Sequence, residues 1–144
     1  MSELASEENE RTVARVYQAA MEALHVGRPI SPAQRVVHDI EHLMQEANSD
    51  ASFEQYFRWA SPDELAGIRD RLRGVGLDDI ASLVSRAVEV AFPRGLPGSE
   101  AEQSEATAWS PEQEQALAEL FGELESENGR VMNVLGAYAR EHGA

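Results

Sequence analysis

Ser31-Pro32-Ala33-Gln34-Arg35-Val36-Val37-His38-Asp39-Ile40-Glu41-His42-Leu43-Met44-Gln45-Glu46-Ala47 is the stretch that decides the fold class. Its first four residues are a helix start. The serine side chain can accept from an orphan backbone N–H, proline at N1 has no N–H to lose, and Gln34 at N3 reaches back to close a capping box. Val36, Val37, Ile40, Leu43, Met44 and Ala47 then fall on one stripe at helical spacing, which predicts a helix near 32–47. The same start recurs at Ser61-Pro62-Asp63-Glu64 and Ser110-Pro111-Glu112-Gln113. The residues after each start differ, so these are separate helix starts and not a sequence repeat.

Outward from that stretch, the spacing of apolar residues predicts the remaining helices. Val13, Val16, Tyr17, Ala20 and Leu24 stripe a first helix near 8–25, ended by Gly27 and Pro29. A short helix near 51–59 carries Phe53, Tyr56 and Phe57, aromatic at helical spacing and therefore core. Leu65, Ile68 and Leu72 stripe 62–73, which Gly74 and Gly76 stop. On 78–91, Ile80, Leu83, Val84, Ala87, Val88 and Ala91 spread over about half the circumference, the width of a central helix with several neighbours. Pro93 ends it. Helix 111–126 turns Leu117, Leu120, Phe121 and Leu124 inward, and a last helix near 130–142 uses Val131, Val134, Leu135 and Tyr138. Residues 93–109 are rich in Pro, Gly, Ser and Glu and read as a mobile surface linker before the last two helices. No strand alternation is visible. The expected fold is all-α: one domain, 1–144, built as a bundle of about seven helices.

Composition narrows the function. With 42% hydrophobic and 26% charged residues, the chain of 144 can bury one core without a staple. Cysteine is absent, which excludes disulfides, thiol catalysis and iron–sulfur clusters. All 12 basic residues are arginine, so Schiff-base chemistry and a phosphate-loop lysine are excluded too. The 26 acids leave a net charge of -14, a surface that repels nucleic acid and anionic membranes and favours a protein partner with a basic face. Glu3, Glu7, Glu8 and Glu10 oppose a basic signal peptide, so the expected location is cytoplasmic.

The acids are unevenly placed. Between Arg94 and Arg130 lie Glu100, Glu102, Glu105, Glu112, Glu114, Glu119, Glu123, Glu125 and Glu127, with no base among them. Glu112, Glu119 and Glu123 fall on the face of their helix opposite its apolar residues, and carboxylates so spaced can imitate successive phosphates. These three are the candidate partner-binding residues. Arg69, Arg71 and Arg73 sit beside Asp63, Glu64 and Asp70, where local ion pairing near a helix C-terminus is expected.

His38-Asp39-Ile40-Glu41-His42 also matches His-x-x-Glu-His, the inverted zinc-peptidase pattern. Two histidines at i and i+4 share one helix face and could bind zinc, with the glutamate as base. Measured from the centre of the apolar stripe, however, both point roughly 150–190° away, and no third ligand stands beside them in sequence. They are expected to be solvent-exposed or interface histidines. No catalytic residue, metal ligand or cofactor is expected.

From Asn48 to Pro93 the chain resembles a known family. The residues that carry the resemblance are Phe53-Glu54-Gln55-Tyr56-Phe57, Leu72 with Val75-Gly76-Leu77, then Ala81, Leu83, Ala87 and Phe92-Pro93. The pattern is similar to that of the acidic DNA-mimic protein family of the nineteen type, a domain otherwise of unknown function. That family reads Asn-Gly-Gly-Phe-x-Gln-Tyr-Phe where this chain has Ala51-Ser52 in place of the glycine pair. Val75-Gly76-Leu77 likewise replaces Ile-Gly-Ala. The first departure suggests a less strained turn before Phe53. Gln55, polar within an aromatic cluster, is expected to hydrogen-bond a helix end. The resemblance implies an acidic helical scaffold and, as function, occupation of the basic DNA-binding surface of a transcription factor or nucleoid protein. The family's mimicry carboxylates lie outside the recognisable motif and do not transfer residue by residue. Two alternatives stand beside it: a small metal-dependent hydrolase using the histidine motif, and a structural or immunity-type binding protein without mimicry. A second copy of the chain, as a homodimer, is a further partner class.

Overall fold

The computed structural model describes residues 3–144, with side chains from Ala5 onward. Eight helices and no strand are found among them: α1 (Glu3–His25), α2 (Pro32–Asp50), α3 (Glu54–Trp59), α4 (Pro62–Gly74), α5 (Asp78–Ala91), α6 (Glu100–Ala106), α7 (Pro111–Glu125) and α8 (Asn128–Glu141). The starts read from sequence hold. Gln34 N–H donates to Ser31 Oγ at 3.1 Å while Ser31 N–H donates to Gln34 Oε1 at 2.8 Å. Ser110 and Gln113 close the same reciprocal box at α7. Ser61 accepts from Glu64 N–H at 3.1 Å, but the return bond is missing, because the Glu64 side chain is engaged elsewhere.

The helix at the centre is α2, where the sequence pointed to 78–91. α2 packs on α1, α3, α4 and α8, whereas the main contacts of α5 are with α4 and α7. The broad apolar arc of α5 is buried all the same, from Ile80 to Ala91. Width of the apolar face reports how much of a helix is covered by apolar neighbours. It misses a helix like α2, whose polar side is also covered.

The aromatic segment forms the middle of the core. Phe53, Tyr56 and Phe57 are wholly buried. The Phe53 and Phe57 rings stack at 5.7 Å, and Phe92 meets Phe57 edge-on at 5.4 Å. The turn before them is not relaxed. Ala51, at the C-cap of α2, has φ 54°, the left-handed conformation that a glycine adopts without penalty. Ala51-Ser52, standing where a glycine pair was expected, still makes a left-handed turn, now with a Cβ on it.

The stretch read as a linker contains α6, and side chains fasten it to the body. Ser99 caps it by accepting from Glu102 N–H. Gln103 is buried and donates to the carbonyls of Phe57 and Ala60, at 2.8 and 2.6 Å. Trp109 Nε1–H donates to the Ala91 carbonyl at 3.0 Å. These bonds satisfy acceptors at the ends of α3 and α5, a use of polar residues that composition alone cannot distinguish from a solvated loop. At the other side, α1 lies along α8 with buried Asn9 donating to Asn133 Oδ1 at 3.0 Å. Gly136 makes that approach possible, since a Cβ there would lie 2.8 Å from Asn9 Cα.

Candidate functional site

The polar side of α2 does not face solvent. His38 and His42 are only 11% and 19% exposed at their side chains, which corrects the expectation of solvent-exposed histidines. The covering elements are α1, α3 and α4. Tyr17 of α1 stacks on His38 at 5.3 Å, and Tyr56 of α3 meets His42 edge-on at 5.7 Å. From α4 come Glu64 and Arg71. His42 Nδ1 pairs with Glu64 Oε2 at 2.7 Å, and His38 Nδ1 with Asp39 Oδ1 at 2.7 Å. Arg71 Nε stands 3.1 Å from Asp39 Oδ2. Asp39 is 1% and Glu64 8% exposed, so both carboxylates are taken out of water and held by these partners.

The cluster extends toward the end of α2. Glu46 lies 3.7 Å from His42 Nε2 and accepts from Gln55 Nε2 at 2.5 Å. Gln55 thus bonds a side chain of α2 where a helix end was expected. The Arg73–Asp70 pair, at 3.2 Å, forms as expected, but Arg71 crosses to α2.

Local electrostatics follow from this burial. Desolvation alone would lower the His42 pKa. The Glu64 hydrogen bond and charge, with Glu46 and Asp39, outweigh it and raise the pKa above the ordinary histidine value. Burial, reinforced by Glu64 and Asp39, keeps the Tyr56 hydroxyl protonated. Burial, with Glu41, Glu46 and Glu64 nearby, pushes Tyr17 up to about 12. Glu41, the would-be base of the histidine motif, lines a different cleft with Glu10, Met44, Asn48 and Met132, between α1, α2 and α8. Burial raises it to about 7, against a hydrogen bond from Gln45 that lowers it. The carboxylates that meet the histidines are Asp39, Glu64 and Glu46, positions the motif does not assign.

Glu112, Glu119 and Glu123 are all exposed on α7. Glu123 accepts from Arg86 of α5 at 3.0 Å, so the run without bases in sequence does receive one in space. Arg130 does the same for Glu127 at 2.7 Å and for Asp79. Glu119 accepts from Gln115 at 3.1 Å, and neither Glu112 nor Glu119 has an ion-pair partner among the described residues. Elsewhere like charges are held together: the Glu54 carboxyl is raised by burial and then by Glu114 and Asp50. No helix among the described residues is long and apolar enough to cross a membrane.

The family model of the DMP19-like proteins matches residues 28–142, most of the chain, and the chain belongs to that family. No curated protein and no solved structure matches it.

Proposed function

We propose that this DMP19-like protein acts by binding a protein with a basic surface, and does so as a DNA mimic that occupies a DNA-reading face. Glu112, Glu119 and Glu123 stand in for phosphates. The observation that carries the reading is the exposed acidic face of α7, on which Glu112 and Glu119 lack any cationic partner among the described residues, in a chain of net charge -14. Glu119 and Glu123 are one helical turn apart, about 6 Å of rise. The Arg86–Glu123 pair does not close the face to a partner, because both side chains are more than half exposed and an exposed pair contributes about 0–1 kcal/mol.

The test is a salt series on the triple variant Glu112→Gln, Glu119→Gln, Glu123→Gln, using a basic protein captured from the host by the wild-type chain. Glutamine keeps size and helix propensity and removes charge. Wild-type binding should weaken steeply with salt as the Debye length contracts from about 10 Å at 0.1 M to about 3 Å at 1 M. The variant should bind more weakly and respond less. Binding indifferent to both would favour the second reading, an ordinary binding module. One feature supports that reading: Trp59 is 69% exposed beside a groove lined by Arg58, Ser61, Gln103 and Thr107.

A further inference from the structure

We propose that His38, Asp39 and Glu64 form a binding site for a single divalent transition ion of the zinc class, joining α2 to α4, with His42 as the residue that positions Glu64. Each of the three offers one ligand atom, and those atoms lie within 4.8 Å of one another. Two ligands bound at about 2.1 Å to a common ion are at most about 4.2 Å apart. Side-chain rotation of a few tenths of an ångström therefore brings the set together. One imidazole with two carboxylates is a donor set that borderline divalent ions accept, and the absence of cysteine leaves no softer competitor in the chain.

Two further observations point to a ligand here. The Tyr56 hydroxyl is buried and makes no well-aligned hydrogen bond, although the Glu64 carboxylate lies beside it. Such a group is rare in folded proteins. It belongs to this cluster, since the charges of Glu64 and Asp39 both act on it. Local charge also suits a dication. Asp39, Glu46 and Glu64 face Arg71 and the more distant Arg35, which leaves the cluster anionic when its imidazoles are neutral. The ring of His42, fixed by Glu64 on one side and Glu46 on the other, holds the Glu64 carboxylate in place as second-layer partners do in metal sites.

The site rests on different residues from the acidic face of α7, so it stands or fails separately from the proposed function. Protein stripped with EDTA is titrated with zinc chloride in a calorimeter. One ion per chain is expected, with His38→Ala and Glu64→Gln each weakening affinity at least about tenfold. His142→Ala, at the exposed C-terminal end, should leave it unchanged. X-ray absorption on the wild-type zinc complex reads the ligands without any substitution, and should show nitrogen and oxygen neighbours with imidazole scattering. No saturable uptake by the wild-type chain, a spectrum without imidazole, or uptake that survives both substitutions would overturn the site.

Discussion

His42 Nδ1 and Glu64 Oε2 meet at 2.7 Å, joining the middle of α2 to the first turn of α4. That contact explains two things at once. It fills the polar side of α2, and it leaves the capping box of α4 half made, because Glu64 cannot both reach back to the Ser61 N–H and hold the imidazole.

Breaking the contact from the histidine side should be costly. His42→Ala strands a carboxylate that is 8% exposed, and about 2 kcal/mol of stability should be lost in urea unfolding of metal-free protein near pH 6. The sign of its pH dependence is fixed. Since the folded pKa is raised above 6.5, the histidine's contribution is full below the unfolded value and disappears as pH rises through the folded one. The cost of the substitution should therefore shrink at alkaline pH. A cost under about 0.5 kcal/mol near pH 6 would mean that the cluster is solvated.

Glu41 should act in the same direction through a different group. Its folded pKa is raised from 4.5 to about 7, so the native state binds the extra proton between those values and stability falls as pH rises through that window. Glu41→Gln should remove the fall and gain about 2 kcal/mol at pH 8 over wild type, with little difference at pH 4. Parallel unfolding curves of metal-free protein at the two pH values check this. An equal gain at both would assign the effect to packing.

Ala51 pays for a left-handed backbone at φ 54°. Ala51→Gly should stabilise by about 0.5–1 kcal/mol, the αL strain relieved less the added freedom of the unfolded chain. Thermal unfolding should shift upward by a few degrees, and a downward shift would show that the turn is not strained.

The α1–α8 seam offers the opposite case. Gly136→Ala places a Cβ 2.8 Å from Asn9 Cα, a backbone atom that cannot rotate away. The helices must separate, and about 1–3 kcal/mol should be lost. Gly122→Ala, at an open position of α7, is the control and should cost nothing.

The elements themselves were readable because capping chemistry is local. Ser31, Ser61 and Ser110 each announce a helix within four residues, and Phe53, Tyr56 and Phe57 announce a core by type and spacing. Gln103 could not be read, since a glutamine in a Ser- and Glu-rich stretch looks the same whether it meets water or the Phe57 carbonyl. The histidine cluster was misread for a related reason. Angular position places His38 opposite the apolar stripe, but only the path of the chain decides that Glu64 and Arg71 of α4 will cover that side. A faint signal existed: an acid at the N3 position of α4 and an arginine among the last residues of that helix are the right charges to meet a His-Asp pair. The acidic face of α7 was placed correctly as exposed, while its Arg86 counter-ion came from another helix and left no trace in the run itself.

The central claim is that the partner's basic face is a DNA-reading face, and one titration addresses it directly. A captured basic partner is bound to fluorescently labelled duplex DNA, and the acidic protein is added while anisotropy is followed. If Glu112, Glu119 and Glu123 occupy the surface that DNA occupies, anisotropy should fall to that of free DNA as the protein is added. The triple glutamine variant should then require a markedly higher concentration. A rise in anisotropy, from a ternary complex in which DNA and the acidic protein are held together, would contradict the mimic.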